Sequence, residues 1–549
     1  MATRRSAKEE LIAQDIKRLH AMGYAQELFR AMGGFSNFAI SFTIISVLSG
    51  CLTLFYAGIT TSGFAAGAIG WPLVTVFVVI VALGMAELAS AYPTAGGLYF
   101  WASKLGGAGW GWFTGWFNLI GQVAVTAGID YGLAVSIDVL LNAWFPQFPA
   151  KLGSVLAIDP ATQWATLGIY AVVLIVHAFL NIFGVRIVAF LNDISVWWHI
   201  VGVILIGGGV VVAALLGQQF SGATFSTAVA HPAALNSAGV LFNADQKYNQ
   251  TGFPIWYAFL LGLLLAQYTY TGYDASAHMT EETIGAETRA PWGVVMSVVV
   301  SAFAGYAVLM GLMAAAPDIS ANGAAGAINP VLYILETRLG YVLGTLFFAV
   351  AVGAQFFCGM SSITTNSRMI YAFSRDGAVP FSRLWHALDR GRTPRNAIIL
   401  AAVGAFVLAI PTVFNFAAYV AITSIAVIGL YISYVLPILL RLMVKEFKPG
   451  PWHLGNWSKP VGVIAVLWVI FISVLFMLPT AWPITFVTFN YTSVVVLGAL
   501  VLLTIWWFVS VRHWFKGPHV QGSAEELRAI EQTVGETVSV DIEGAAGGQ

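Results

Sequence analysis

The feature that most constrains this chain is a series of apolar stretches long enough to cross a lipid bilayer. A membrane span needs about 20 mostly apolar residues. Twelve stretches qualify, at roughly 35–59, 69–91, 112–142, 163–184, 194–216, 254–284, 291–316, 341–372, 395–413, 416–442, 460–479 and 491–511. Only 9% of the residues are charged and 58% are hydrophobic, against about 25% charge in soluble domains. A soluble enzyme is thereby excluded, and an all-α protein of twelve transmembrane helices is expected. The net charge is zero, so no nucleic acid is expected as a partner; the partners are lipid and a small solute. Cys51 and Cys358 lie in apolar runs, and neither the cysteines nor the nine histidines show metal-ligand spacing. No metal and no cofactor is expected.

Charge placement gives the orientation. With both termini cytoplasmic, only Lys151, Lys247 and Arg338 of the 25 basic residues fall outside, as the enrichment of Lys and Arg in cytoplasmic loops requires. The cluster Arg375, Arg383, Arg390, Arg392 and Arg395 contributes most, followed by Arg441, Lys445, Lys448 and Lys459. A plasma or inner membrane location follows as the expectation. Residues 1–34 read as a cytoplasmic segment whose helical spacing of Leu11, Ile12, Ile16 and Leu19 suits either the membrane surface or solvent. Residues 35–216 and 254–442 hold five spans each. Each set opens with a broken helix and has a long third member, and an odd number of spans inverts the second set. Two further spans occupy 460–511, and the polar tail 516–549 is expected to be disordered. The outside loop 217–253 is expected to cap a vestibule, and 329–338 to form a short helix before span 8.

The two expected breaks carry the functional argument. The apolar run 255–266 is too short to cross alone and meets Thr271-Gly272 and then Asp274. The other break is expected at Leu48-Ser49-Gly50. Unpaired backbone at membrane depth survives only where it is buried in protein or lines a cavity, and paired broken helices mark transporter sites. The amides of Ser49 and Gly50 would head a half-helix and attract a carboxylate, with the Ser46 or Ser49 hydroxyl assisting. The alternative there is a small-residue helix contact. The carbonyls of Tyr270 and Thr271, beside Gly272, would suit an amino group. Tyr268, Tyr270 and Tyr273 offer an aromatic lid, although three tyrosines at this spacing do not all face one cavity. Asp274 is either a functional, proton-exchanging acid or the cap of the second half-helix.

Gln122 is a candidate substrate contact on span 3, where Asp130 and Asp138 share a face and Asp138 is expected near the outer interface. Glu87, Glu281 and Glu282, with Arg289, Arg368 or Arg375, are expected to form either an inner gate of ion pairs or purely structural pairs.

Several motifs resemble the amino acid–polyamine–organocation (APC) superfamily, and within it the amino acid/choline transporter family, which includes GABA permeases. They are Ala86-Glu87-Leu-Ala-Ser-Ala-Tyr-Pro93-Thr-Ala-Gly96-Gly97-Leu-Tyr99, Asp274-Ala-Ser-Ala-His278-Met-Thr-Glu281-Glu282, Ser367-Arg368 through Pro380, and Pro479 through Tyr491. The resemblance covers about residues 20 to 515. It implies a LeuT-type five-plus-five inverted repeat with two extra helices, working by alternating access. In the resembling proteins an acid at the place of Asp274 is linked to gating or proton response. A basic side chain on span 5 replaces a sodium ion in some of them, which makes His199 a coupling candidate facing Ser361, Ser362, Thr364 and Thr365; His177 has a weaker case. One departure is the single glycine in Leu48-Ser49-Gly50-Cys51-Leu52, where the superfamily often has Gly-x-Gly-Ile. It leaves the span 1 ligands open by a position or two.

The expected function is secondary transport of a small amino acid or related zwitterion, GABA-like compounds included, with protons ahead of sodium as the coupling ion. The alternatives are an exchanger or a choline or polyamine carrier. Asp274 is the only acid at the breaks, which disfavours a polycation, and choline has no carboxylate for the span 1 amides. No phosphate-binding Gly-x-x-x-x-Gly-Lys-[Ser/Thr] occurs, so ATP-driven transport is not expected. Neither an enzyme nor a channel is expected.

Overall fold

A computed structural model describes residues 2–145, 164–183, 185–217, 235–317, 329–389, 391–414, 416–523 and 525–532. Lys151, Arg390, parts of the expected loops 143–162, 217–253 and 317–340, and the tail from 533 onward lie outside the described residues.

Among the described residues, eleven helices are long and apolar enough to cross a membrane. Spans 1 to 5 are Gly34–Thr53, Ala65–Ala91, Ala108–Trp144, Trp164–Ile182 and Ile187–Leu215. Spans 7 to 12 are Ala286–Ala315, Pro330–Arg375, Arg395–Val413, Ala417–Met443, Gly455–Met477 and Thr492–Trp514. The sixth expected span falls short of a full crossing because it is interrupted. An apolar piece, Ile255–Thr269, is followed by the short helix Ala275–His278 and the turn Thr280–Glu282. No strand occurs among the described residues; Met32 and Thr283 form one isolated backbone bridge.

The outward faces of the helices are apolar. Phe303, Val509 and Leu502 are 77%, 74% and 68% exposed, which is tolerable only where hydrocarbon takes the place of water. Inside, small residues bring backbones together as membrane helix packing requires. Spans 3 and 10 cross where a side-chain carbon on Gly429 would lie 2.9 Å from the Gly121 Cα. Spans 5 and 7 cross where one on Gly311 would lie 2.2 Å from the Gly207 carbonyl.

Span 8 contains the expected short helix. The Asn329 side chain caps it by accepting from the amides of Val331 and Leu332 at 3.0 and 3.1 Å. Gly340, at φ 76°, then breaks the helix before the apolar crossing begins.

Both terminal segments dock at one end of the bundle. The N-terminal helix, Ala2–Ala21, sets Asp15 against the start of span 7, where it accepts from the amides of Gly285 and Ala286 at 2.7 and 3.2 Å. A carboxylate there also meets the positive end of the span 7 dipole. Arg18 pairs with Glu287 at 2.7 Å. This helix is therefore neither a free tail nor bound to lipid alone. The tail residues up to 532 depart from the expected disorder, because their polar groups find fixed partners. The Gln521 amide donates to the Gly23 carbonyl at 2.9 Å, and Glu531 accepts from the Gln26 amide at 2.8 Å.

Candidate functional site

Span 1 breaks at Ser46, between the helices Gly34–Ile45 and Val47–Thr53. Ser46 takes the left-handed conformation, φ 33°, a costly choice for a residue with a side chain. Its surroundings hold it there. Its amide still donates to the Phe42 carbonyl at 3.0 Å, its hydroxyl lies 2.8 Å from His199 Nε2, and it is fully buried. The expected break at Leu48-Ser49-Gly50 is thus displaced toward the N-terminus. The amides of Ser49 and Gly50 are occupied, donating to the Ser46 carbonyl at 2.8 and 2.9 Å. The first-turn amides of the second half-helix, which lack an acceptor in their own helix, belong to Val47 and Leu48.

The break in span 6 falls where the sequence places it. The first half ends at Thr269, Gly272 turns the chain at φ 95°, and Ala275 begins the second half. The two breaks touch. A side-chain carbon on Gly50 would meet the Thr269 side chain at 2.5 Å, and one on Gly272 would meet Ile44 Cγ2 at 2.2 Å. Ser41 and Ser276 add a polar link, their hydroxyls 2.7 Å apart.

The three tyrosines of the break diverge. Tyr270 turns to span 2, its hydroxyl 2.6 Å from Thr75 Oγ1 and its ring 4.6 Å from that of Trp71. Tyr273 packs on Tyr434, ring centroids 4.9 Å apart. Tyr268 approaches span 3 at Gly128. Thr271 bonds back to the Tyr268 carbonyl at 2.7 Å.

Asp274 is fully buried and its side chain does not cap the helix that follows. It accepts from Gln122 Nε2 at 2.8 Å, Asn118 Nδ2 at 3.2 Å and the Tyr434 hydroxyl at 2.8 Å. His278 Nε2 lies 3.4 Å away, while the Nδ1 of that ring donates to the Ala95 carbonyl at 3.0 Å. Asp274 thereby joins spans 3, 6 and 10. Gln122 meets this carboxylate directly.

His199 is also buried, with both ring nitrogens engaged: Nε2 with Ser46, and Nδ1 with the Ser195 carbonyl at 2.7 Å. A neutral imidazole satisfies this arrangement, with Nδ1 donating and Nε2 accepting. The span 8 residues expected to face His199 make their side-chain hydrogen bonds elsewhere. Ser361 donates to Asn192, Ser362 pairs with Thr126 at 2.8 Å, Thr364 donates to Asn181 at 2.6 Å, and Thr365 bonds back to the Ser361 carbonyl. Adjacent residues of a helix are turned about 100° apart, and Ser361, Ser362 and Thr364 meet partners on spans 5, 3 and 4 respectively.

Beyond the breaks, toward the terminal segments, ion pairs close the bundle. Arg375 forks onto Glu281 at 3.0 and 3.1 Å, and Arg368 meets Glu282 at 2.8 Å; all four are buried. Arg289 instead donates to the Ile284 carbonyl, and Glu87 faces Arg441 at 3.8 Å. Asp376 gathers three chain segments, accepting from Tyr24 and Tyr99 at 2.9 and 3.0 Å and from the His519 amide at 2.9 Å. Burial nonetheless raises its carboxyl above the ordinary range. At the opposite end a cleft of about 350 Å³ opens, lined by Leu54, Gly58, Leu265, Ser424 and residues of the 235–253 and 480–490 segments. Asp138 sits partly exposed and accepts from Thr166 at 3.2 Å.

Sequence reasoning missed Asn118, Tyr434 and His278 as partners of Asp274. The i, i+4 spacings of Asn118 with Gln122 and of Asp274 with His278 were available signals, since such residues share a helix face. Nothing local pointed to Tyr434, which arrives from span 10.

Comparison with known proteins places this geometry. The amino acid permease family profile matches residues 32–501. Amino-acid permease BAT1 of Arabidopsis thaliana is 40% identical over 517 residues, covering 91% of this chain and 95% of that one. A BAT1 homolog of Oryza sativa subsp. japonica shows the same identity and coverage. A protein of Candida albicans named as a candidate polyamine transporter is 27% identical, over 96% of this chain and 92% of its own. The chain is a multi-pass membrane transporter and belongs to the amino acid permease family of the APC superfamily.

Proposed function

We propose that this protein carries a small amino acid or related zwitterion, GABA-like compounds included, across a plasma or inner membrane by alternating access, as proton-coupled uptake. The observation that carries this reading is the contact between the breaks of spans 1 and 6, Gly50 on Thr269 and Gly272 on Ile44. Separation of these surfaces by a solute would expose the Val47 and Leu48 amides and the Ser46 and Ser49 hydroxyls to a carboxylate. The carbonyls of Tyr270 and Thr271 would receive the amino group, which is how broken helices read a zwitterion.

In this reading Asp274 is the gating acid. Its carboxylate fastens spans 3, 6 and 10 while the site is shut, and Gln122 joins substrate recognition when it lets go. His199 positions Ser46, and Ser361 and Ser362 hold span 8 in register for the same movement. The cleft at one end and the Glu281–Arg375 and Glu282–Arg368 pairs at the other correspond to a state closed on the cytoplasmic side, with both termini there. The two five-span sets, 35–216 and 254–442, would be the inverted halves that rock about the site.

A second reading, a carrier of an organic cation such as a polyamine, draws on one observation. No Lys or Arg is among the hydrogen-bonding partners of Asp274, and with His278 neutral at 3.4 Å its charge would be available to an amine. The name of the Candida albicans relative points the same way. Exchange without a driving ion is the other alternative.

The test is uptake by the purified protein in proteoliposomes of L-alanine, L-glutamate, L-lysine, GABA, choline and putrescine, under a proton gradient, a sodium gradient or internal cold substrate. Proton-driven accumulation of an amino acid is expected. Accumulation of putrescine or choline alone, accumulation only with sodium, or movement only into preloaded vesicles would each overturn a distinct part of the proposal.

A further inference from the structure

Span 3 carries a further buried acid, Asp130, that no part of the candidate site uses. It faces His177 of span 4, both fully buried. His177 Nδ1 lies 3.2 Å from one carboxylate oxygen and 3.3 Å from the other. The other ring nitrogen, Nε2, has no hydrogen-bond partner. The ring packs against Phe356, centroids 4.6 Å apart, in a T-shaped contact. An acid and a histidine together inside a membrane bundle are costly to keep, and such groups mark ion or proton pathways.

The pair rests on bare backbone of span 8. A side-chain carbon on Gly359 would fall 1.7 Å from Asp130 Oδ1 and 2.7 Å from His177 Cε1. The adjacent residue, Cys358, donates its thiol to the Ile44 carbonyl at 3.1 Å, just before the Ser46 break. One turn beyond His177, Asn181 donates to the Met360 carbonyl at 3.0 Å. The same turn of span 8 therefore touches the Asp130–His177 pair on one side and the broken helix of span 1 on the other.

We propose that Asp130 and His177 together form the proton-binding site of this transporter, loading one proton at His177 Nε2; this rests on the proton-coupled transport reading given above. With Nδ1–H facing the carboxylate, the pair bears one negative charge. A proton taken from water on one side of the membrane binds Nε2 and gives imidazolium beside carboxylate, net zero. After reorientation the proton leaves Nε2 for water on the other side, and the negative pair is restored. No other reactant is needed. The titratable groups around the pair are the hydroxyls of Tyr131 and Tyr170, of Tyr268 from span 6 and of Tyr419 from span 10, and the Cys358 thiol from span 8. All five are uncharged near neutral pH at their ordinary pKa values. They add no charge of their own to the pair.

The test uses full-length protein in proteoliposomes and whichever panel compound gives the fastest counterflow in wild type. Counterflow needs no net proton movement, whereas accumulation under an acid-outside gradient does. For one proton per neutral solute, a one-unit pH gradient with the voltage clamped supports about tenfold accumulation. Wild type is expected to approach that ratio. Asp130→Asn and His177→Gln are expected to keep counterflow within about threefold of wild type but to settle at equal concentrations inside and out. Should Asp130→Asn fail to yield monodisperse protein, His177→Gln decides alone.

A variant that still accumulates solute as wild type does overturns the proposal. Loss of counterflow along with accumulation in folded variants also overturns it, assigning the pair to structure. Wild type that counterflows without proton-driven accumulation overturns it together with the proton-coupling part of the transport reading, and leaves carriage of the solute standing. Wild type that does not counterflow any panel compound removes both.

Discussion

Ser46 and His199 hold each other across the break in span 1, hydroxyl to Nε2 at 2.8 Å. The imidazole, itself fixed by the Ser195 carbonyl, supports the serine in a backbone conformation that residues with side chains avoid. The relationship joins span 5 to the half-helix proposed to face the solute. It also gives this intramembrane histidine a defined task.

His199→Ala leaves the Ser46 hydroxyl without its acceptor in a buried site, a loss of about 1–3 kcal/mol. The half-saturation concentration for counterflow is expected to rise about tenfold. Ser46→Ala should do the same, and the double variant should be no worse than either single, because one interaction is removed in all three. Additive losses would show that the two residues act separately.

Asp274→Asn replaces a carboxylate that accepts from three donors with an amide that competes with them. Charge-assisted hydrogen bonds contribute about 1.5–3 kcal/mol each, so transport is expected to slow by about tenfold or more. The short helix after it should persist, since the Asp274 side chain does not cap it. A lowered melting temperature alongside slow counterflow in the folded fraction is the expected pair of readings. A large fall in melting temperature with normal rates in the folded fraction would make Asp274 a structural residue.

The Glu281–Arg375 pair is buried and bidentate. Removing one member strands a charge, at a cost of about 3–5 kcal/mol. Arg375→Met and Glu281→Gln should each lower thermal stability clearly, and the double variant should recover much of the loss. Thermal unfolding in detergent reads this directly. A double variant as unstable as the sum of the singles would mean that the pair is not the source of the cost.

Asp376 lies just past span 8 with its carboxyl raised by burial. Its protonated form is thus favoured in the folded protein. The linked stability is fully present below the ordinary carboxylate pKa, about 3.9, and is lost as pH rises through the raised folded value. Between those two points wild type should lose melting temperature as pH increases. Asp376→Asn should abolish that slope, while lowering stability at the acidic end because Tyr24, Tyr99 and the His519 amide lose part of their acceptor. Melting curves across acidic to neutral pH check both.

The helices were readable from the sequence because apolar length alone decides where a chain crosses a bilayer. The interruption of span 6 was readable because Thr271, Gly272 and Asp274 stop an apolar run too short to cross. The position of the span 1 break was not. A lone glycine at Gly50 is the local signal, yet the turn falls on Ser46, whose strained backbone is sustained by His199 from a distant span. The glycine serves instead for close approach to Thr269. The partners of Asp274 divided in the same way: Asn118 with Gln122, and His278, repeat at helical spacing, whereas Tyr434 comes from packing that no local pattern encodes. The docking of residues 516–523 and 525–532 was missed because composition describes a polar segment's affinity for water and not the partners waiting on the N-terminal segment.

The transported solute is proposed to bind where the two breaks meet. The most direct measurement is counterflow of the panel compounds by wild type and by Gly50→Val in proteoliposomes. The Gly50 position has 2.5 Å between a side-chain carbon and the Thr269 side chain, so valine wedges the breaks apart. Wild type is expected to counterflow an amino acid, and folded Gly50→Val to do so at least about tenfold more slowly. Amino acid counterflow by Gly50→Val at the wild-type rate, or none by wild type, would contradict it.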